Sequence, residues 1–271
     1  GDTVDTILPS GRHAPGVRLS SGETVPADIV VSNSDPATTY SKLLKDLPRR
    51  RWSDGKLGRQ DYSMGLFVWY FGTDRRYDDV GHHTMLFGPR YKGLLKDIFK
   101  TKVLAEDFSL YLHRPSANDP SVAPDGCDAY YVLSPVPNLQ GDADWETVAE
   151  QYRAKIAAEL EATLLPGLSK HIVSSRISTP LDFRDRLLSW QGAAFSLQPN
   201  LFQSAINILY SSQQYMSLTV LYSFQHLVLS VFKFQSPIFS HLNHGSCLLA
   251  GVFAVALCPH QSFCATAIPV L

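Results

Sequence analysis

The C-terminal stretch of this 271-residue chain is almost without charge: from Ile206 to Leu271 the only charged side chain is Lys233, and Asp, Glu and Arg are missing. Cysteine is scarce too, four in all, with Cys127 alone before residue 206. No disulfide framework can therefore support the charged part, and a reducing compartment fits it best. No Gly-x-Gly-x-x-Gly stretch or other phosphate loop occurs anywhere, so nothing visible would cradle a nucleotide pyrophosphate. Long hydrophobic runs are also wanting. The longest uncharged apolar run, Cys247 to Cys258, has 12 residues, against the ~20 of a spanning helix. The stretch Leu218 to Phe232 is longer but carries Gln225 and His226 in its middle. The chain starts at Gly1 with no charged segment leading into an apolar one, so neither a signal peptide nor a natural start is expected there. A net charge of -1, with no basic run beyond Arg49 to Arg51, removes the electrostatic case for nucleic acid.

What is present reads as sheet plus one long helix. Val17 to Leu19, a turn on Ser21-Gly22 and a mostly apolar Ala27 to Ser32 suggest a hairpin feeding a buried strand that stops at Asn33-Ser34-Asp35-Pro36. Met64 to Gly72 is short, aromatic-rich and apolar, which reads as a strand buried on both faces. Two further strands are expected, "DFSLYLH" from Asp107 and "AYYVLSPV" from Ala129, separated by a Pro/Asp/Gly loop. Trp145, Val148, Tyr152, Ile156 and Leu160 recur every three or four residues. Asp144 is the natural N-cap and Pro166-Gly167 the stop, giving an amphipathic helix of about five or six turns.

Several clusters invite chemistry. Neighbours in a regular strand point to opposite faces, so His82 and His83 are not expected to share one metal ion. They read as hydrogen-bonded structural histidines, or as polar groups beside a substrate channel. Asp182, Arg184, Asp185 and Arg186 read as an ion-paired helix start rather than an acid/base pair. Phe67, Trp69, Tyr70 and Phe71 are core, or else alternate members line an apolar tunnel. Arg114, Asp119 and Asp125 read as solvated turn residues. Cys247, Cys258, His260 and Cys264 match no common zinc spacing. No metal is expected.

The stretches "KLGRQDYSMGLFVWYFG", "GHHTMLFGPRYKGLLKDIF", "LAEDFSLYLHRPSANDPSVAPDGCDAYYVLSPVPNL" and "STPLDFRDRLLSWQGAAFSLQPNLFQSA" strongly resemble the bacterial-type phytoene desaturases, carotenoid-forming flavoenzymes related to the amine oxidases. The resemblance runs in continuous order from about Gly16 to Ala205. It implies an α/β class: a partial FAD-linked two-domain flavoenzyme whose α+β substrate domain holds a mixed or antiparallel sheet, followed by an unpatterned tail. Residues 1–45 would return the chain to the FAD domain, 46–190 would form the substrate domain, and 191–205 would lead back toward the flavin. Ser32, Asn33, Gly192 and Phe195 would lie near FAD. Phe67, Trp69, Phe71, His82 and His83 would face the substrate. The family's acid/base residues would lie upstream of Gly1, so none is named.

The resemblance further implies phytoene, a C40 polyene, as substrate, quinone or oxygen as electron acceptor, and a cytoplasmic protein docked peripherally on a membrane. A carotene isomerase or ketolase-like oxidase on the same scaffold is one alternative, and a membrane-tethered polyene-binding fragment without catalysis is another. The family continues after Gln-Ser-Ala with Trp-Phe-Arg-Pro-His and a glycine-rich segment against the flavin. Here Ile206-Asn207-Ile208 follows, so residues 206–271 read as a frameshift or read-through, with a genuine interfacial or spanning anchor as the alternative.

Overall fold

The computed structural model describes residues 1–11, 13–49 and 52–198 in full, and the backbone of 218–220, 252–257 and 266–270. The chain forms two compact units, residues 1–60 with 199–271, and residues 61–198.

In the first unit β1 (Val4–Ser10), β2 (His13–Leu19) and β3 (Thr24–Pro26) form an antiparallel meander. The hairpin expected around Ser21-Gly22 is the β2–β3 pair, closed by the Gly22 N–H donating to the Leu19 carbonyl at 3.0 Å. Gly16 takes φ +154°, and a Cβ there would collide with the Val25 carbonyl; only glycine lets the two strands approach so closely. β1 is absent from the pattern-based reading because its apolar residues are interrupted by Asp5, Thr6 and Pro9. The strand expected over Ala27 to Ser32 is shorter, β4 (Ile29–Ser32). It is followed by α1 (Pro36–Thr38), whose first turn is capped by Asp35 accepting from the Ala37 N–H at 2.8 Å. α2 (Asp54–Leu57) follows Trp52, which stacks on Tyr40 with ring centroids 5.2 Å apart.

Three short strands of the tail are described. β10 (Leu218–Val220) pairs parallel to β4, β11 (Val252–Leu257) pairs antiparallel to it, and β12 (Thr266–Val270) pairs with β11. An unpaired strand edge accepts any extended backbone whatever its side-chain period. Cys247, Cys258, His260 and Cys264 lie outside the described residues.

The second unit is a five-stranded antiparallel sheet in the order β6 (His83–Leu86), β7 (Leu110–His113), β8 (Asp128–Val136), β5 (Gly65–Thr73), β9 (Ile172–Ser178). α3 (Tyr91–Lys96) follows β6, and α4 (Trp145–Thr163), α5 (Leu168–His171) and α6 (Pro180–Asp185) complete the unit. α4 runs 19 residues with Asp144 as N-cap, accepting from the Glu146 N–H at 3.2 Å, as its apolar spacing dictates. Its Trp145, Tyr152, Ile156 and Leu160 are buried in one core with β5, β7 and β8. This is the α+β arrangement that the sequence led us to expect, with an all-antiparallel sheet.

The two units divide after residues 60 and 198. Trp52 belongs with Tyr40 in the first unit. In the second, Gln198 N–H donates to the Asp61 carbonyl at 2.8 Å and Ala194 N–H to the Met64 carbonyl at 2.9 Å, which holds 191–198 to the start of β5.

Candidate functional site

Because side chains alternate across a strand, β5 gives the sheet two different faces. Phe67, Trp69 and Phe71 point toward α4 and are at most 4% exposed. Phe67 meets Tyr152 edge-on at 5.1 Å and stacks on Trp145 at 6.0 Å, while Phe71 stacks on Tyr130 at 5.0 Å. Trp69 donates its indole N–H to the Ser175 hydroxyl at 2.8 Å and carries the Arg153 guanidinium over its ring. The expectation that these three rings line a substrate tunnel is corrected here: α4 fills the space they face, and they are core.

The opposite face is open. There Tyr70 is 45% exposed and Met85 62%. Strand register brings Tyr70 opposite Tyr131, Tyr131 opposite His113, Met85 opposite Tyr111, and His113 opposite His83. Tyr70 and Tyr131 lie 6.0 Å apart, Tyr111 and Tyr131 6.1 Å, and His113 meets Tyr131 edge-on at 4.7 Å. The result is an aromatic strip that crosses four strands. Burial, reinforced by the neighbouring Tyr111, pushes the Tyr131 hydroxyl up to about 12.

The strip ends in three histidines. His82 precedes β6 rather than lying within it, so strand alternation does not separate its ring from that of His83. The two centroids are 4.0 Å apart, and His113 lies 4.6 Å from His82 and 4.9 Å from His83. The argument against a shared position therefore fails at its premise of a regular strand. His113 Nε2 is 2.7 Å from His82 Nε2; Asn118 Nδ2 is 2.8 Å from His82 Nδ1, and the Tyr111 hydroxyl is 2.6 Å from His83 Nδ1. Burial, then the proximity of His82 and His83, lowers the pKa of His113.

Next to His113 the structure overturns a second expectation. Arg114 is not a solvated turn residue but 2% exposed. It pairs with Asp128 at 3.0 Å and Asp78 at 3.0 Å, and donates to the Val80 carbonyl at 2.9 Å. Asp128 also accepts from the Tyr77 N–H, the Ser116 hydroxyl and the Tyr130 hydroxyl. Its burial alone would raise its pKa, but these donors outweigh it and hold the carboxyl below its ordinary range. The buried guanidinium thus lies against two carboxylates, as a buried charge requires. Asp119 does what a turn residue should, accepting from the Ser121 N–H at 3.0 Å. Asp182 closes a capping box with Thr179 at the start of α6, while Arg184 pairs with Asp185 at 2.6 Å in its last turn.

The residues expected near a cofactor fall in both units. In the first, Ser32 ends β4 with its hydroxyl 3.0 Å from that of Ser34 and 2.9 Å from that of Thr39, and half-buried Asn33 follows. In the second, Gly192 has φ +63° and a Cβ would collide with the Pro180 carbonyl. Phe195 is 47% exposed, and its N–H donates to the Ser63 hydroxyl at 2.9 Å.

The fold is an antiparallel sheet covered on one face by a long helix and open and aromatic on the other. A redesigned double mutant of putrescine oxidase shares it with a TM-score of 0.50 at 16% identity, covering 81% of this chain and 42% of that one. No family model matches the chain. Sequence relatives are much nearer. Over 208 residues, 74% of this chain, it is 52% identical to the neurosporene-forming phytoene desaturase of Rhodobacter capsulatus. It is 52% identical over 207 residues to that of Cereibacter sphaeroides and 44% over 203 residues to the lycopene-forming enzyme of Pantoea ananas. The chain belongs to the phytoene desaturase family. It spans about 40% of the length of the curated relatives it matches.

Proposed function

We propose that this chain supplies the substrate-holding part of an FAD-dependent phytoene desaturase, taking 15-cis-phytoene through stepwise desaturations toward lycopene. The observation that carries this is the 44–52% identity, over some 74% of the chain, to desaturases named for neurosporene and lycopene formation. Each step removes a hydride and a proton from adjacent carbons and leaves a new double bond. A bound flavin would supply the hydride acceptor, with quinone or oxygen as the final electron acceptor. The polyene offers no hydrogen-bonding group, so its burial against apolar surface must provide the binding energy, and exclusion of water protects a cationic carbon next to the forming bond.

The chain's own contribution is positioning. Tyr70, Tyr111, Tyr131 and Met85 present an uncharged, ring-lined face long enough to lie beside a run of conjugated carbons, and α4 holds that face rigid from behind. These four take the substrate role expected of Phe67, Trp69 and Phe71. The cofactor expectation fares differently. The Ser32 hydroxyl is committed to Ser34 and Thr39, and Gly192 is required by its approach to Pro180. With no phosphate-binding loop in the sequence, Ser32, Asn33, Gly192 and Phe195 do not make a flavin cradle by themselves, and no step is assigned to them. A lipid-soluble substrate also calls for peripheral docking on the cytoplasmic side of a membrane. Among the described residues no helix is long and apolar enough to cross one.

Product analysis tests the reading. Residues 16–198, grafted in place of the matching stretch of a full-length phytoene desaturase, are expected to convert phytoene to more conjugated, coloured carotenoids in a phytoene-accumulating host. Geometric isomers of unchanged conjugation, or oxygenated products, would replace this reading with an isomerase or an oxidase.

A further inference from the structure

We infer that His82, His83 and His113 form a binding site for one borderline divalent cation of the zinc, nickel or copper class. Each histidine offers one ring nitrogen, and these nitrogens all lie within 4.8 Å of one another. The chain brings them together from two directions. His83 and His113 are directly paired across β6 and β7, the arrangement that places two side chains side by side on one face. His82 comes from the turn before β6, whose backbone is pinned by the Arg114 N–H donating to the His82 carbonyl at 2.9 Å.

The ring partners point the same way. Asn118 engages Nδ1 of His82 and Tyr111 engages Nδ1 of His83, which leaves Nε2 of each ring available to an ion. Nε2 of His82 and of His113 are only 2.7 Å apart, a separation that requires a bridging proton or a shared cation. A tetrahedral ion with Zn–N bonds of about 2.0–2.1 Å needs its ligand nitrogens only slightly farther apart, within reach of small ring rotations. With an ion bound, His83 Nδ1–H donates to the Tyr111 oxygen. His82 Nδ1–H donates to Asn118 once that amide presents its oxygen, an orientation that heavy-atom positions do not distinguish. Such outer partners fix ring orientation and raise ligand basicity.

The donor set selects the metal. Three imidazoles with no carboxylate among them suit zinc, copper and nickel and disfavour magnesium or calcium. His83 is exposed while the other two are half-buried, so the fourth position faces solvent and takes water. The neighbouring guanidinium of Arg114 does not oppose a cation, because Asp78 and Asp128 already neutralise it. An ion here would tie the edge strand β6 to β7 and to the turn before it.

The test uses the untagged full chain, stripped with a chelator and dialysed against Zn²⁺, with bound metal counted by elemental analysis. One Zn²⁺ per chain at low micromolar concentration is expected, with a rise in melting temperature. His82→Ala and His83→Ala should each weaken binding by more than about 100-fold and Asn118→Ala by about 10-fold, the range in which outer partners act. His171→Ala, remote from the cluster, should bind as the parent does. Co²⁺ in place of Zn²⁺ should give nitrogen-ligand visible bands without a thiolate charge-transfer band. Circular dichroism confirms that each variant is folded. Binding that survives the His82→Ala/His83→Ala double variant, a thiolate band, or no binding at tens of micromolar Zn²⁺ would each overturn the site.

Discussion

Arg114 follows His113 in a stretch full of Pro, Ser and Asp, where composition argues for a solvated turn. It is buried because its charge partners are distant in sequence: Asp78 and Asp128 are 36 and 14 positions away and reach it only once β5, β7 and β8 have paired. Arg114→Met would leave Asp128 buried without its cation and is expected to cost about 3–5 kcal/mol, read by urea denaturation. The same pair sets an acid limit. Asp128 has a lowered folded pKa, so its contribution is complete above the unfolded value of about 3.9 and is lost as pH falls through the lower folded one. Arg114→Met raises that folded value, so acid unfolding should begin at higher pH than in the parent. Identical acid-unfolding curves would contradict the buried pair. At Gly192 the positive φ and the Pro180 carbonyl both oppose a side chain, and Gly192→Ala should destabilise by more than about 1 kcal/mol.

The most legible element was α4, because a long apolar repeat with a capping Asp leaves one solution. Its central residues are fully buried as that repeat requires: Ile156 and Leu160 are 0% exposed, and either one changed to Ala should lose about 2–5 kcal/mol. The aromatic strand β5 was also legible, but not which of its faces is core. That depends on where α4 docks, and a run apolar on both sides carries no alternation to decide it. The open strip needs pairings across four strands, so Tyr111, Tyr131 and His113 gave no signal in their own neighbourhoods. Tyr70 divides the two readings of this sheet. Tyr70→Asp should leave stability within about 0.5 kcal/mol, as exposed positions do, yet sharply reduce polyene conversion in the grafted enzyme. Phe67→Ala should instead cost about 3–5 kcal/mol of stability.

At the scale of the whole molecule, the family was legible in four stretches of unusual residue order, and similarity over 74% of the chain upholds it. Trp52 and residues 191–198 are held by stacking and backbone pairing that leave no compositional mark. Under the proposed function the chain holds an apolar substrate, and no Gly-x-Gly-x-x-Gly stretch occurs in its sequence. The purified chain is accordingly expected to show no flavin absorption band at stoichiometric occupancy. The most direct measurement is carotenoid analysis of a phytoene-accumulating host expressing a full-length desaturase that carries residues 16–198 of this chain. The account predicts that phytoene is consumed and conjugated products accumulate. Phytoene left unchanged by a soluble, flavin-loaded chimera, beside an active parent enzyme, would contradict it.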